Sequence, residues 1–134
     1  MSDETRILAG TLLLALVTVE SGGFYLLKIA RGKAPATPFQ ERFARAGHAH
    51  AGVLLVLALV VLLYVDATGM DGLWGWVARS GVPIAALLLP GGFFFCSMGR
   101  GRTEPNRFVV MLPAGAVMLA LGLAATGVGL LTAG

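Results

Sequence analysis

A handful of residues in this chain could do chemistry. Glu20 stands inside a long apolar run and opens the stretch Glu20-Ser21-Gly22-Gly23. His48 and His50 form a His-x-His pair at the front of another run, and Cys96, Met98 and Met111 supply soft sulfur ligands. An intramembrane carboxylate beside a histidine is the chemistry of a proton or cation site. Histidine with cysteine and methionine is the donor set of copper(I) or of an axial haem ligand.

Spacing sorts these possibilities. In a regular helix, residues two apart point about 200° apart, so His48 and His50 cannot both face one metal ion. His48 is expected at the headgroup edge and His50 in the bundle. Depth follows from a rise of about 1.5 Å per residue, which sets Glu20 about 12 Å in from Lys28 and the two histidines about 4 to 8 Å in from Arg45. On the same scale Cys96 and Met98 lie about 3 to 6 Å from Arg100, and Met111 about 6 Å from Arg107. The polar groups thus gather at one depth, with His50 as the expected partner of Glu20 and Ser21 beside them. The opposite half offers only hydroxyls such as Thr11, Ser80 and Thr126. Methionine and cysteine also serve as packing residues. A neutral Glu20 bonded across helices would hold a bundle together without further function.

The elements that position these groups are set by composition. The 134 residues are 57% hydrophobic and 13% charged, with a mean hydropathy of +0.83. A soluble domain carries about 25% charged residues, so this chain could not cover its apolar surface in water. Four runs, at about 7–29, 46–65, 76–98 and 108–132, reach the roughly 20 residues that a helix needs to cross a bilayer. None alternates with period two, which excludes barrel strands and leaves helices. The expected fold is an all-α membrane protein, a single domain of four transmembrane helices in an antiparallel bundle. The acidic start, MSDETR, is a poor signal peptide, so the first run is read as a retained span. The single cysteine excludes an intrachain disulfide.

Charge orients the bundle. The first connection holds Lys28, Arg31, Lys33, Arg42 and Arg45, and the third holds Arg100, Arg102 and Arg107. Against these eight stand only Arg6 and Arg79. The positive-inside rule then sets the first and third connections in the cytoplasm and both termini outside, in a bacterial-type plasma membrane. Arg42, Arg45, Arg100, Arg102 and Arg107 form a basic edge suited to anionic lipid headgroups or a partner's acidic surface. They are split among short loops, which excludes a nucleic-acid interface. Trp74 and Trp76 suit the outer interface, where Arg79 would extend its head to water.

Local signals refine the elements. Thr37, Pro38 and Gln40 make a capping-box pattern, so the second helix is expected to start near Pro38. Pro83 and Pro90 each remove a backbone donor from the third span and predict a kink or opening there. Gly115, Gly122, Gly127 and Gly129 in the fourth span let helix backbones approach, although no strict GxxxG is present.

Three stretches, TPFQERFARAGHAHAGVL, LLPGGFFF and GRGRTEPNR, resemble an uncharacterised group of small four-helix integral membrane proteins of actinobacteria. The resemblance covers nearly the whole chain. It implies a fold and a location, and no activity. Small multidrug transporters share a first-span glutamate but lack the histidine segment. Fluoride channels have a polar track that is missing here.

Three functional readings follow. The leading one is an accessory or interaction subunit that packs with itself or with another membrane protein and carries no cofactor. The second is a small oligomeric transporter or channel that moves protons, metal or a small cation past Glu20 and His50. The third is a haem- or copper-binding membrane protein using His50 or His48. No nucleophile–base pair with motif support is present, so an enzyme is not expected.

Overall fold

The computed structural model describes residues 1–133. It is all-helical, with α1 at Asp3–Ala30, α2 at Pro38–Thr68, α3 at Gly72–Cys96, a 3₁₀ turn at Arg107–Val110 and α4 at Met111–Thr132. All four spans are long and apolar enough to cross a membrane by length and composition.

The helix ends are set by local chemistry. Ser2 caps α1, its side chain accepting from the Thr5 N–H, and Asp3 and Glu4 occupy the positive first turn. Thr37 and Gln40 form the reciprocal capping box with Pro38 at the first helical position, so α2 begins where TPFQ predicts. Gly69 ends α2 at φ 63°, in the left-handed region that glycine enters without steric cost. Helix α3 continues through Pro83 and Pro90, both buried, so neither proline ends the helix.

Two kinds of side chain pack the bundle. Leu54, Leu62 and Val65 of α2 close a core against Val82, Ala85 and Leu89 of α3. Helix α4 lies mainly on α3, and α1 rests almost entirely on α2. The α3–α4 seam is built on glycine. Gly115, Gly122 and Gly129 recur every seven residues, the spacing that keeps one helix face turned the same way; the first two meet α3, and Gly129 packs on Met70 in the connection before it. A Cβ on Gly81 would stand 2.5 Å from the Gly122 Cα, and one on Gly115 would stand 2.7 Å from Leu89 Cγ. Gly127 has open space around it and takes no part.

The first and third connections meet at one end of the bundle, hereafter the basic end. The Thr37 hydroxyl donates to the Arg102 carbonyl, and the Gln40 amide donates to the carbonyls of Ser97 at 3.0 Å and Gly99 at 2.6 Å. Asn106 closes the end of α3, its side chain donating to the Phe95 carbonyl and its backbone N–H to that of Cys96. At the opposite end the N-terminus meets the end of α2, where the Ser2 N–H donates to Asp66 Oδ1 at 2.8 Å.

Candidate functional site

The structure brings Glu20 together with His48, and it does not bring Glu20 together with His50. Helix α1 lies on α2 with its Gly22–Gly23 step against the His48 ring. A Cβ on Gly22 would sit 3.1 Å from His48 Nδ1, and one on Gly23 would sit 3.6 Å from Nε2. The absence of side chains on α1 is what lets the half-buried imidazole lie between the helices. Glu20, Gly23, Phe24 and Leu27 of α1 then line one groove with His48, with a volume of about 590 Å³. Glu20 itself is exposed on the outer surface of the chain. Ser21 turns away from the groove's chemistry, its hydroxyl donating to the Thr18 carbonyl of its own helix.

His50 faces another way. Its Nδ1 is 2.8 Å from the Ala46 carbonyl, and a carbonyl only accepts, so Nδ1 carries the proton. Its ring stands 4.9 Å from that of Phe93 on α3. The two histidines therefore occupy different faces, as their spacing requires, and it is His48, not His50, that lines the groove with Glu20. Depth along the helices is nearly common to both. The face that α1 covers is not a matter of depth, and it is the face that carries His48.

The sulfur ligands stay apart. Cys96 is buried, with Sγ donating weakly to the Phe93 carbonyl. Met98 lies at the basic end, and the Met111 methyl packs near Gly91. Among the described residues, no three His, Cys, Asp or Glu side chains converge as a metal site would need.

The basic end holds a second hollow of about 570 Å³. Tyr25 of α1, Ala44 of α2 and Phe94 of α3 form its walls, and the loop Met98 to Gly101 closes it. All three stretches that carry the resemblance meet around it. Phe43 stacks edge-on against Phe93 at 5.5 Å, Gly47 leaves room for Phe94, and Gln40 holds the Ser97 and Gly99 carbonyls. The predicted basic edge divides by partner. Arg45 pairs with Glu41, Arg102 donates to the carbonyls of Met98 and Glu104, and Arg107 lies 5.4 Å over the Phe108 ring. Arg42 is exposed, and Arg100 lines the hollow.

Family models, curated proteins and solved structures offer no match to this chain.

The opposite end corrects a further expectation. That half holds more than small hydroxyls, and Arg79 does not extend to water. Arg79 is instead 9% exposed, and its Nε donates to the fully buried Thr5 hydroxyl at 3.4 Å. Asp66, near by on the Ser2 backbone, also receives the Met1 ammonium at 3.2 Å. Arg79 has no ion pair within 4 Å among the described residues. No sequence signal marks this cluster beyond an aspartate at the end of α2 and an arginine early in α3. Their common partner is the N-terminus, distant in the chain. Thr5→Val keeps the shape but takes away the hydroxyl that Arg79 uses. It should cost about 1 to 3 kcal/mol, the penalty for leaving a buried donor unpaired. Thermal unfolding in mild detergent checks this against Thr11→Val. The exposed Thr11 hydroxyl bonds only its own helix, so that change should be nearly silent.

Proposed function

We propose that the chain is an integral membrane protein of a bacterial-type plasma membrane and acts as an accessory or interaction subunit, packing with itself or with another membrane protein. Its four helices cross as an antiparallel bundle, with both termini outside and the basic end in the cytoplasm. The observation that carries the subunit role is the exposure of Glu20. A charged side chain deep in a bilayer costs about 2.5 to 3.5 kcal/mol on insertion scales, and such groups almost always face protein or a water-filled cavity. Here the groove around Glu20 is open on the outer side of α1. That helix buries only Thr5 and Leu12 against the rest of its own chain. A helix from a second polypeptide laid along this groove supplies the missing partner.

Gentle detergent purification tests the reading. The wild-type chain should elute as an oligomer or with a stable membrane partner. Glu20→Leu should weaken that association about tenfold, since an interhelical polar contact in a membrane contributes about 1 to 2 kcal/mol. A wild-type chain that elutes alone as a monomer ends the subunit reading.

One observation favours a second reading, passage of a proton or small cation. Glu20 and His48 line the same groove, so the histidine of that reading is His48. A groove on the outside of one chain needs a second wall, and an oligomer would build one. Glu20→Gln and His48→Ala should then each abolish flux in liposomes, and unchanged flux ends this reading.

A further inference from the structure

The geometry points to a binding site for an anionic phospholipid in the hollow at the basic end, with Arg100 as the residue that holds the headgroup phosphate. The hollow is zoned as an amphiphile is. Tyr25, Pro35, Ala44, Phe94 and Met98 give it apolar walls, and Arg100 stands among the loop residues that close it. Its volume of about 570 Å³ falls within the range of small-ligand sites. It accommodates a headgroup and the first carbons of the chains.

Charge selects the sign of the ligand. Among the described residues, Arg100 is the only charged one lining the hollow, and no carboxylate lines it. The guanidinium is also uncommitted. Arg102 is spent on the carbonyls of Met98 and Glu104, Arg45 on Glu41, and Arg107 on the Phe108 ring. Arg100 makes no side-chain hydrogen bond or ion pair among the described residues. Its backbone is nonetheless held on both sides. The Gly99 carbonyl accepts from Gln40 and the Arg102 carbonyl from Thr37. Gly99 at φ 124° and Gly101 at φ 60° let the loop turn sharply around it. A held backbone with a free cation at the edge of a mostly apolar hollow, whose polar lining residues include Thr37, Gln40 and Ser97, is preorganised for a lipid phosphate. The site rests on the membrane placement proposed above and is independent of the subunit role.

Native mass spectrometry of the full chain, released from detergent micelles doped with phosphatidylglycerol or phosphatidylcholine, tests the site. One phosphatidylglycerol per chain should be retained in preference to phosphatidylcholine. Arg100→Gln should reduce that retention about fivefold, which corresponds to the ~1 kcal/mol of one basic residue at an anionic surface. Arg107→Gln, outside the hollow, should leave it nearly unchanged. Ala36→Trp, which fills the hollow from its loop side, should remove bound phosphatidylglycerol. Equal losses from Arg100→Gln and Arg107→Gln would overturn the site in favour of a diffuse basic surface. Displacement of the lipid by millimolar inorganic phosphate would overturn the role of the apolar walls. Carbonate extraction of the host membranes separates the two proposals. A chain that stays in the membrane pellet but retains no lipid through Arg100 overturns the lipid site alone.

Discussion

Gly81→Leu should abolish the folded bundle, and Gly81→Ala should destabilise it by about 1 to 3 kcal/mol, the usual cost of forcing extra atoms into a packed interior. The reason is the identity of the obstructing atoms. A Cβ at position 81 would lie 2.5 Å from the Gly122 Cα, 2.8 Å from its nitrogen and 2.9 Å from the Met118 carbonyl oxygen. Favourable carbon contacts lie at about 3.5 to 4.0 Å, and no rotamer change moves a backbone atom aside. Relief requires α3 and α4 to separate, which also loosens Gly115 from Leu89 along the same seam. Alanine gains about 1 kcal/mol of helix propensity over glycine, which offsets part of the clash but not all of it. Gly127→Ala isolates that gain, because nothing lies within 4 Å of the new methyl group. It should be neutral or stabilising by up to about 1 kcal/mol. Unfolding in mild detergent, followed by the fluorescence of Trp74 and Trp76 at the start of α3, measures all three. If Gly81→Ala proves as stable as Gly127→Ala, the two backbones do not meet at this pair.

The same seam shows what a one-dimensional reading reaches. Four glycines in the fourth span announce close helix packing, and the seven-residue interval of 115, 122 and 129 identifies the face. Position 127 breaks that interval and stays out of the contact. Caps are legible because their partners are near in sequence, as in Thr37 with Gln40. The separation of His48 from His50 is legible because helix geometry is local. Which of the two meets α1 is not legible, because it depends on the rotation of one helix against another. In retrospect Gly22–Gly23 is the informative signal. Two adjacent residues without side chains mark where a bulky ring from the neighbour fits. The buried Arg79 has no comparable signal. Its partner, Thr5, is 74 residues away, and an arginine near the end of an apolar run reads equally well as one that reaches water.

The largest effect at the basic end should come from the exchange of one heavy atom, Gln40→Glu. Gln40 does two things with one amide. Its Oε1 accepts from the Thr37 N–H at 3.1 Å and closes the capping box. Its Nε2 donates to the Ser97 and Gly99 carbonyls, at 3.0 and 2.6 Å. Glutamate keeps the first function and is favoured near a helix N-terminus. It loses the second completely, because an ionised carboxylate has no donor and would face two carbonyl oxygens. If capping were the main role of this residue, Gln40→Glu would be neutral or mildly stabilising. If the bridge to the third connection is the main role, the change should cost about 1 to 3 kcal/mol, the penalty for stranded partners. The bridge should prevail, since two bonds are lost and replaced by repulsion, while the cap changes little. The loop around Arg100 would then lose its anchor at Gly99. Proteolysis in detergent should cut Gln40→Glu faster than wild type at Arg100 and Arg102. Cutting at wild-type rates, with unchanged unfolding, would return Gln40 to a capping role alone.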